Sequence, residues 1–290
     1  MNAGRFDKQI KIPSAPAVAV RVLEAVKDEK EGFEKLARII SADPALTAKT
    51  LSLVNSSFYG LPEEVSDLGK AISILGLDTI KNIALSFAII KSYRGKKTDG
   101  FDYDHFWRRS VTAAVASEML TKTLRVRGPF FPSALLMDLG IIVMYMSEPR
   151  AYLKVFDMKR ATGKDIYEIE RQIFGTDHQE VTARVLHEWG IPENIVSLVQ
   201  EHHILKKDET QGTILYMADL ISSIYHGSKT GQKHAKAKSL MAELYGIKDI
   251  EFDEFVDSVA SQTQKTLSLF ELPPGRIKPY SELLSEANEE

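Results

Sequence analysis

Apolar residues recur at helical spacing along almost the whole of this 290-residue chain, and no stretch alternates convincingly with period two. That pattern commits the chain to an all-α architecture. Residues 17–26 are apolar at most positions, and 33–40 repeat at Phe33, Leu36, Ala37, Ile39 and Ile40. Asp43 and Pro44 read as an N-cap and first-turn pair. The helix they open reaches about Asn55, on an apolar set of Leu46, Leu51, Leu53 and Val54, before a Ser-rich segment and Gly60 end it. A short helix over 71–75 stops at Gly76, and Asp78 reads as the cap of the next, over 79–93.

The segment 91–100, KSYRGKKTDG, is polar with two glycines and lies between two periodic regions, as a linker does. Beyond it the spacing predicts helices over 104–123, 131–147, 149–161, 165–173, 178–189, 192–203, 210–226, 233–245 and 251–270. Asp177 as N-cap, Gly190 as stop and Pro192 as first-turn proline agree with those limits. The expected organisation is two packed helical layers: an N-terminal helical subdomain over 12–94 and a helical bundle over 101–226. A C-terminal helical extension over 227–290 is expected to pack on the bundle.

Composition narrows the function classes. With 44% hydrophobic residues the chain can bury a sizeable core. A net charge of -3 and a pI of about 6.2 argue against a general nucleic-acid surface. The absence of cysteine excludes disulfides and thiolate chemistry. The opening MNAGRFDKQIKIP has no apolar run, and the longest apolar stretch, 134–146, is short for a membrane span and interrupted by Asp138. The expectation is a cytoplasmic protein with no membrane partner. Basic runs at Lys91, Arg94, Lys96 and Lys97 and at Lys229, Lys233, Lys236 and Lys238 read as solvated faces, the second also suiting an anionic partner.

Five residues are of types that bind hard or borderline divalent metals: Asp138, His178, His202, His203 and Asp219. They fall on four or more helices, as core sites of helical bundles do. Asp138 lies in ALLMDLGIIVMYM, where an unpaired carboxylate would be costly. Arg109, on the preceding helix, can offer that carboxylate a bidentate guanidinium. The expectation is Arg109 within hydrogen-bond reach of Asp138 or Asp219. Taken singly, His178 also reads as a capping neighbour of Asp177, and His202 and His203 as complements to a helix dipole. Asn55, Ser56 and Tyr59 read as turn and cap residues that fix an interhelix angle, or as part of an interaction surface.

Several segments together resemble one family. DPALTAKTLSLVNSSFYG (43–60) and AISILGLDTIKNIAL (71–85) are similar to the signature of the HDOD domain, the HD-related output domain of bacterial signalling proteins. FWRRS (106–110), ALLMDLG (134–140), GTDHQEVTARVLHEWGIP (175–192) and EHH (201–203) match its order, so the resemblance covers roughly the first three-quarters of the chain, with the domain drawn at 12–226. It implies kinship with HD phosphohydrolases, whose helical core holds one or two metals through histidines and an adjacent His-Asp pair. Carried over by position, the His of that pair is Met137 here, its Asp is Asp138, and the early histidine is Arg109. Neither replacement suits such a metal, because a guanidinium only donates and a thioether is too soft.

The resemblance therefore implies a signal-transduction module without catalysis, acting on signalling or regulatory proteins, with a degenerate metal site and no cofactor. Asp43, Pro44, Asn55, Ser56, Tyr59 and Gly76 are its signature residues. Two alternatives stand beside this reading. One is a residual metal-dependent phosphohydrolase using Asp138, His178, His202, His203 and Asp219. The other is a sensor in which Arg109 holds a nucleotide without hydrolysis.

Overall fold

A computed structural model describes residues 10–25, 32–56, 59–95, 100–207, 209–275, 277–280 and 282–283. Lys96, Lys97, most of the tail after 281 and one end of the first expected helix, Val26, lie outside them. Helices account for the regular structure, and there is no strand among the described residues. The N-terminal set comprises α1 (Ala17–Ala25), α2 (Gly32–Ser41), α3 (Pro44–Val54), α4 (Leu68–Leu75) and α5 (Leu77–Ser92). Helix α5 is its axis: Ile80, Ile83 and every residue from Ala84 to Ile90 are buried, against α1, α3 and α4.

Local chemistry sets the helix ends. Asp43 accepts from the amides of Ala45 and Leu46 at 3.0 and 3.1 Å, with Pro44 in the first turn. Asn55 then clamps the following loop, donating to the Val65 carbonyl and accepting from its amide, both at 2.8 Å. Ser56 caps back onto Leu53, so both serve the turn as read. Gly76, at φ 87°, ends α4 and begins α5 across a bend of 119°. Two sequence limits shift here. Helix α4 starts earlier, at Leu68, because Asp67 caps the Lys70 amide; Asp78 is not a cap but a first-turn residue paired with Lys81.

The second set runs α6 (Tyr103–Leu124), α7 (Phe130–Leu136), α8 (Leu139–Ser147), α9 (Pro149–Thr162), α10 (Ile166–Phe174), α11 (His178–Glu188), α12 (Glu193–Gln200) and α13 (Thr210–His226). Helix α6 is capped by Asp102 and packs along α7 and α13. Pro192 sits one residue before α12 rather than within its first turn, and α12 stops at Gln200, leaving His202 and His203 in the turn that follows. The C-terminal α14 (Thr230–Tyr245) and α15 (Asp249–Leu269) complete the chain. Helix α15 packs on α6 and also reaches α3, so the extension touches both sets.

The main correction concerns 131–147, where one continuous helix is expected and two form. The ladder breaks at Met137 and Asp138, and Thr182 from α11 repairs it: its hydroxyl accepts from the Gly140 amide at 2.8 Å and shares its one proton between the carbonyls of His178 at 2.6 Å and Met137 at 3.0 Å. At that crossing a β-carbon on Gly140 would stand 2.3 Å from the His178 carbonyl oxygen. Glycine therefore permits the approach that places the start of α11 beside Asp138. The stretch Phe130–Ser147 is apolar and long enough to span a membrane by composition, but it is buried in the core.

The N-terminal segment straps across the second set. Trp189 donates to the Pro13 carbonyl at 2.8 Å and stacks on Tyr93, and the Lys11 amide reaches Ser147. Of the basic runs, Lys91 faces Asp43 at 3.6 Å and Arg94 donates to the Glu271 carbonyl. In the second run Lys238 pairs with Asp253, Lys233 donates to the Ser223 carbonyl and Lys236 lies over the Tyr216 ring.

Candidate metal centre

Three helices, α6, α11 and α13, and the turn after α12 converge on Asp138 at the α7–α8 break. Its Oδ2 accepts from one guanidinium nitrogen of Arg109, whose other nitrogen bonds Asp219 Oδ1. The arginine thus bridges carboxylates from the α7–α8 break and from α13. Asp138 is 2% exposed and Asp219 15%, so the pairing takes place largely out of water. Burial alone would raise both carboxyl pKa values, but the guanidinium holds them well below the usual range. Met137 is fully buried in the hydrophobic core and contributes its backbone carbonyl to the Thr182 bridge.

The other oxygen, Asp138 Oδ1, faces three imidazoles. His178 Nε2 lies 3.3 Å from it and His202 Nε2 3.4 Å, while His203 Nε2 is 3.0 Å from His178 Nε2. One ligand atom from each of Asp138, His178, His202 and His203 falls within 4.8 Å of the others. Asp138 Oδ1 and His202 Nε2 are buried without an aligned hydrogen bond. Buried polar atoms in that state call for a partner, and a cation between these two would supply one.

Each ring is oriented from behind. His178, first residue of α11, has Nδ1 at 2.6 Å from Glu170 Oε2, and the same oxygen accepts its amide at 2.9 Å. Glu170 is fully buried and takes a second bond from the Tyr152 hydroxyl. His202 Nδ1 donates to the Val199 carbonyl at 2.7 Å. His203 turns Nδ1 toward Asp219 Oδ2 at 3.4 Å, its amide is held by Gln179, and Tyr167 stacks on its ring. Outer partners on the far ring nitrogen, with the near nitrogen turned inward, are the arrangement of metal-binding histidines.

These residues fit a single divalent ion: three imidazole nitrogens and one carboxylate oxygen suit a tetrahedral or open site. Of the five candidate ligands read from the sequence, the fold gathers four, Asp138, His178, His202 and His203, within reach of one ion. Burial pushes His178 down, but Glu170 and Asp138 together push it up to about 10. His203 is pushed down to about 4 by burial and by His202. A cleft of about 920 Å³ near Arg94, Asp104 and Leu272 includes none of these residues.

The family model of the HDOD domain matches residues 12–205. The chain belongs to the HDOD family. A solved HDOD domain protein of unknown function from Geobacter sulfurreducens superposes with a TM-score of 0.69 at 19% identity, covering 93% of this chain and 96% of that one. A Shewanella amazonensis protein provisionally named a phosphohydrolase gives 0.66 at 21% identity, covering 92% and 96%. A Marinobacter aquaeolei protein provisionally named for signal transduction gives 0.63 at 19%, covering 93% of this chain and 63% of its own. In sequence, an uncharacterized Treponema pallidum protein is 21% identical over 208 residues, 71% of this chain; the match spans 40% of that protein's length. At these identities the structural likenesses establish the fold.

Within this HDOD chain the seven positions carried over from the family pattern divide. Arg109, Asp138, His178, His202, His203 and Asp219 converge, while Met137 turns away into the core. The signature residues Asp43, Pro44, Asn55, Ser56 and Gly76 serve caps and turns in the N-terminal set, apart from the cup. Sequence reasoning missed Glu170, Tyr152 and Gln179. A signal existed for Glu170: it shares a helix face with Ile166 and Phe174, a lone acid on an apolar stripe.

Proposed function

We propose that this HDOD chain is a signal-transduction module that does not turn over phosphoesters and acts on signalling or regulatory proteins through its helical surface, in the cytoplasm. The observation that carries the reading is the Arg109 guanidinium held between Asp138 and Asp219. A cation position between two buried carboxylates is filled by a group that has no lone pair for ligation and cannot activate water. The site keeps its charge balance and loses its reactive centre.

A second reading, a residual single-metal phosphohydrolase, is favoured by the cup of Asp138, His178, His202 and His203. A divalent ion there would supply a water of lowered pKa and neutralise phosphate charge. The two readings separate in one experiment: elemental analysis after exposure to Mn, Fe, Ni or Zn, with phosphodiesterase assays, on the native chain and on an Arg109→His, Met137→His variant. The module reading expects the native chain to stay empty of metal and without turnover, and the variant to take up metal. Phosphodiesterase activity of the native chain that appears with Mn and disappears in Asp138→Ala would overturn it.

A further inference from the structure

Lysines crowd one edge of the cup, and the C-terminal extension supplies most of them. Tyr216, Asp219 and Ser223 share a face of α13, at spacings of three and four residues. Helix α14 lays two side chains along that face. Lys236 Nζ lies 5.4 Å from the centre of the Tyr216 ring, and Lys233 Nζ donates to the Ser223 carbonyl at 3.1 Å. Asp219, the partner of Arg109, falls between those two positions on the helix. Lys229, at the N-cap of α14, brings its Nζ to 3.6 Å from where a β-carbon on Gly163 would stand, at the end of α9. One turn back on α9, Lys159 is within electrostatic reach of Lys233, Arg109 and Asp219.

The row is rich in cations and short of partners. Lys159, Lys229 and Lys236 are exposed and Lys233 half-buried. Neither Lys159 nor Lys229 forms an ion pair with a described residue. The acids beside these lysines are Asp219, already bonded to Arg109, and Asp165, the N-cap of α10. Burial and then the neighbouring cations push Lys159 and Lys233 down, Lys233 to about 8, and an anion laid between them relieves that crowding. Local preference is set aside to place these charges. Lys229 takes a left-handed conformation, φ 61°, and α14 opens on Lys229 and Lys233 with no acid in its first turn, at the helix end where cations are unfavourable. Departures of that kind belong to functional positions.

We propose that the row of Lys159, Lys229, Lys233 and Lys236 docks an acidic segment of a partner protein, laid extended across the edge of the cup. From Tyr216 to Ser223 the helix rises about 10 Å, and an extended chain sets every second side chain about 7 Å apart. Two or three carboxylates of one segment therefore match the row, which is longer than a single small anion. A segment seated there covers the exposed edge of Asp219 and so joins the partner surface to the Arg109 bridge. The docking rests on the reading of this chain as a module that acts on proteins, and it supplies the chemistry of the partner.

The test is fluorescence anisotropy of a labelled hexaglutamate peptide titrated with the full chain at low and at physiological salt. The expected result is saturable binding that weakens as salt rises, since the charges are at the surface. Lys159→Glu and Lys233→Glu should each weaken it by roughly fivefold or more, while Lys70→Glu, on α4, should bind as wild type. The Lys159 side chain makes neither a hydrogen bond nor an ion pair with a described residue, so its variant reports binding rather than folding. No binding, or undiminished binding by both rim variants, would overturn the assignment. So would displacement of the peptide by inorganic phosphate at matched ionic strength, which marks a small-anion site, or tighter binding of an oligothymidylate of equal charge. The module reading fails by a different readout, phosphodiesterase turnover, so the two failures are told apart.

Discussion

Arg109→Met keeps the length of the side chain and removes both charged donors, leaving Asp138 and Asp219 facing each other in a site from which neither regains full hydration. The exposures of 2% and 15% make the loss a buried-charge problem rather than a surface one. A hydrogen bond to a charged group contributes about 1.5–3 kcal/mol, and breaking one side of a buried ion pair costs about 3–5 kcal/mol. Arg109 itself keeps 24% exposure, which places the expected destabilisation at the lower end, roughly 3–4 kcal/mol. With an unfolding entropy of about 2.1 cal/mol/K per residue, that corresponds to a fall in Tm of about 6 °C. Urea denaturation at pH 7 measures it directly. The pH dependence has a fixed sign. In the wild type both carboxyl pKa values are depressed, so their contribution is full above the unfolded carboxylate value of about 3.9 and fades as pH falls through the folded values. The gap between wild type and variant should therefore close in acid. Placed in an Asp138→Asn, Asp219→Asn background, the same substitution should cost about 1 kcal/mol or less, since no charge is then abandoned. A loss below about 1 kcal/mol in the native background, or a gap that widens toward low pH, would refute the reasoning.

Two further outcomes follow from the geometry. The folded pKa of His178, about 10, lies above its unfolded value, so its contribution is complete below about pH 6.5 and is lost as pH rises through 10; Glu170→Gln should flatten that alkaline decline in Tm, and an unchanged slope would show that Glu170 does not hold the proton. Gly140→Ala drives a β-carbon into the His178 backbone and should cost about 2–3 kcal/mol by prising α8 from α11; a urea midpoint equal to wild type would mean that the crossing relaxes freely.

The fold was legible where local chemistry and long-range packing agree. The cap at Asp43, the stop at Gly76 and the helical spacing of the second half all survive in the structure, with shifts of a few residues at Asp67, Asp78 and Pro192. The Arg109–Asp138 contact was legible because a carboxylate in an apolar helix demands a cation, whatever the fold around it. The break between α7 and α8 was not, because Thr182, which repairs it, lies 45 residues away in sequence. For the same reason the gathering of His202 and His203 around Asp138 could not be counted from spacing: they stand in a turn whose direction is set by packing of α12 on α7 and α11. Glu170 shows the remaining case, a signal present in the pattern that acquires meaning only once its face is known to meet His178.

The strap from Pro13 to Trp189 bears on how the chain reaches this state. Closing that bond encloses 176 residues of sequence, and the contact of α15 with α3 encloses still more. Loop closure of that length is entropically late. As the chain leaves the ribosome, α1 to α5 can collapse around α5 while the face that Trp189 and α15 later cover stays open. The N-terminal set is thus made before Trp189 and α15 but finished only after them, so its folding waits on residues translated long after its own.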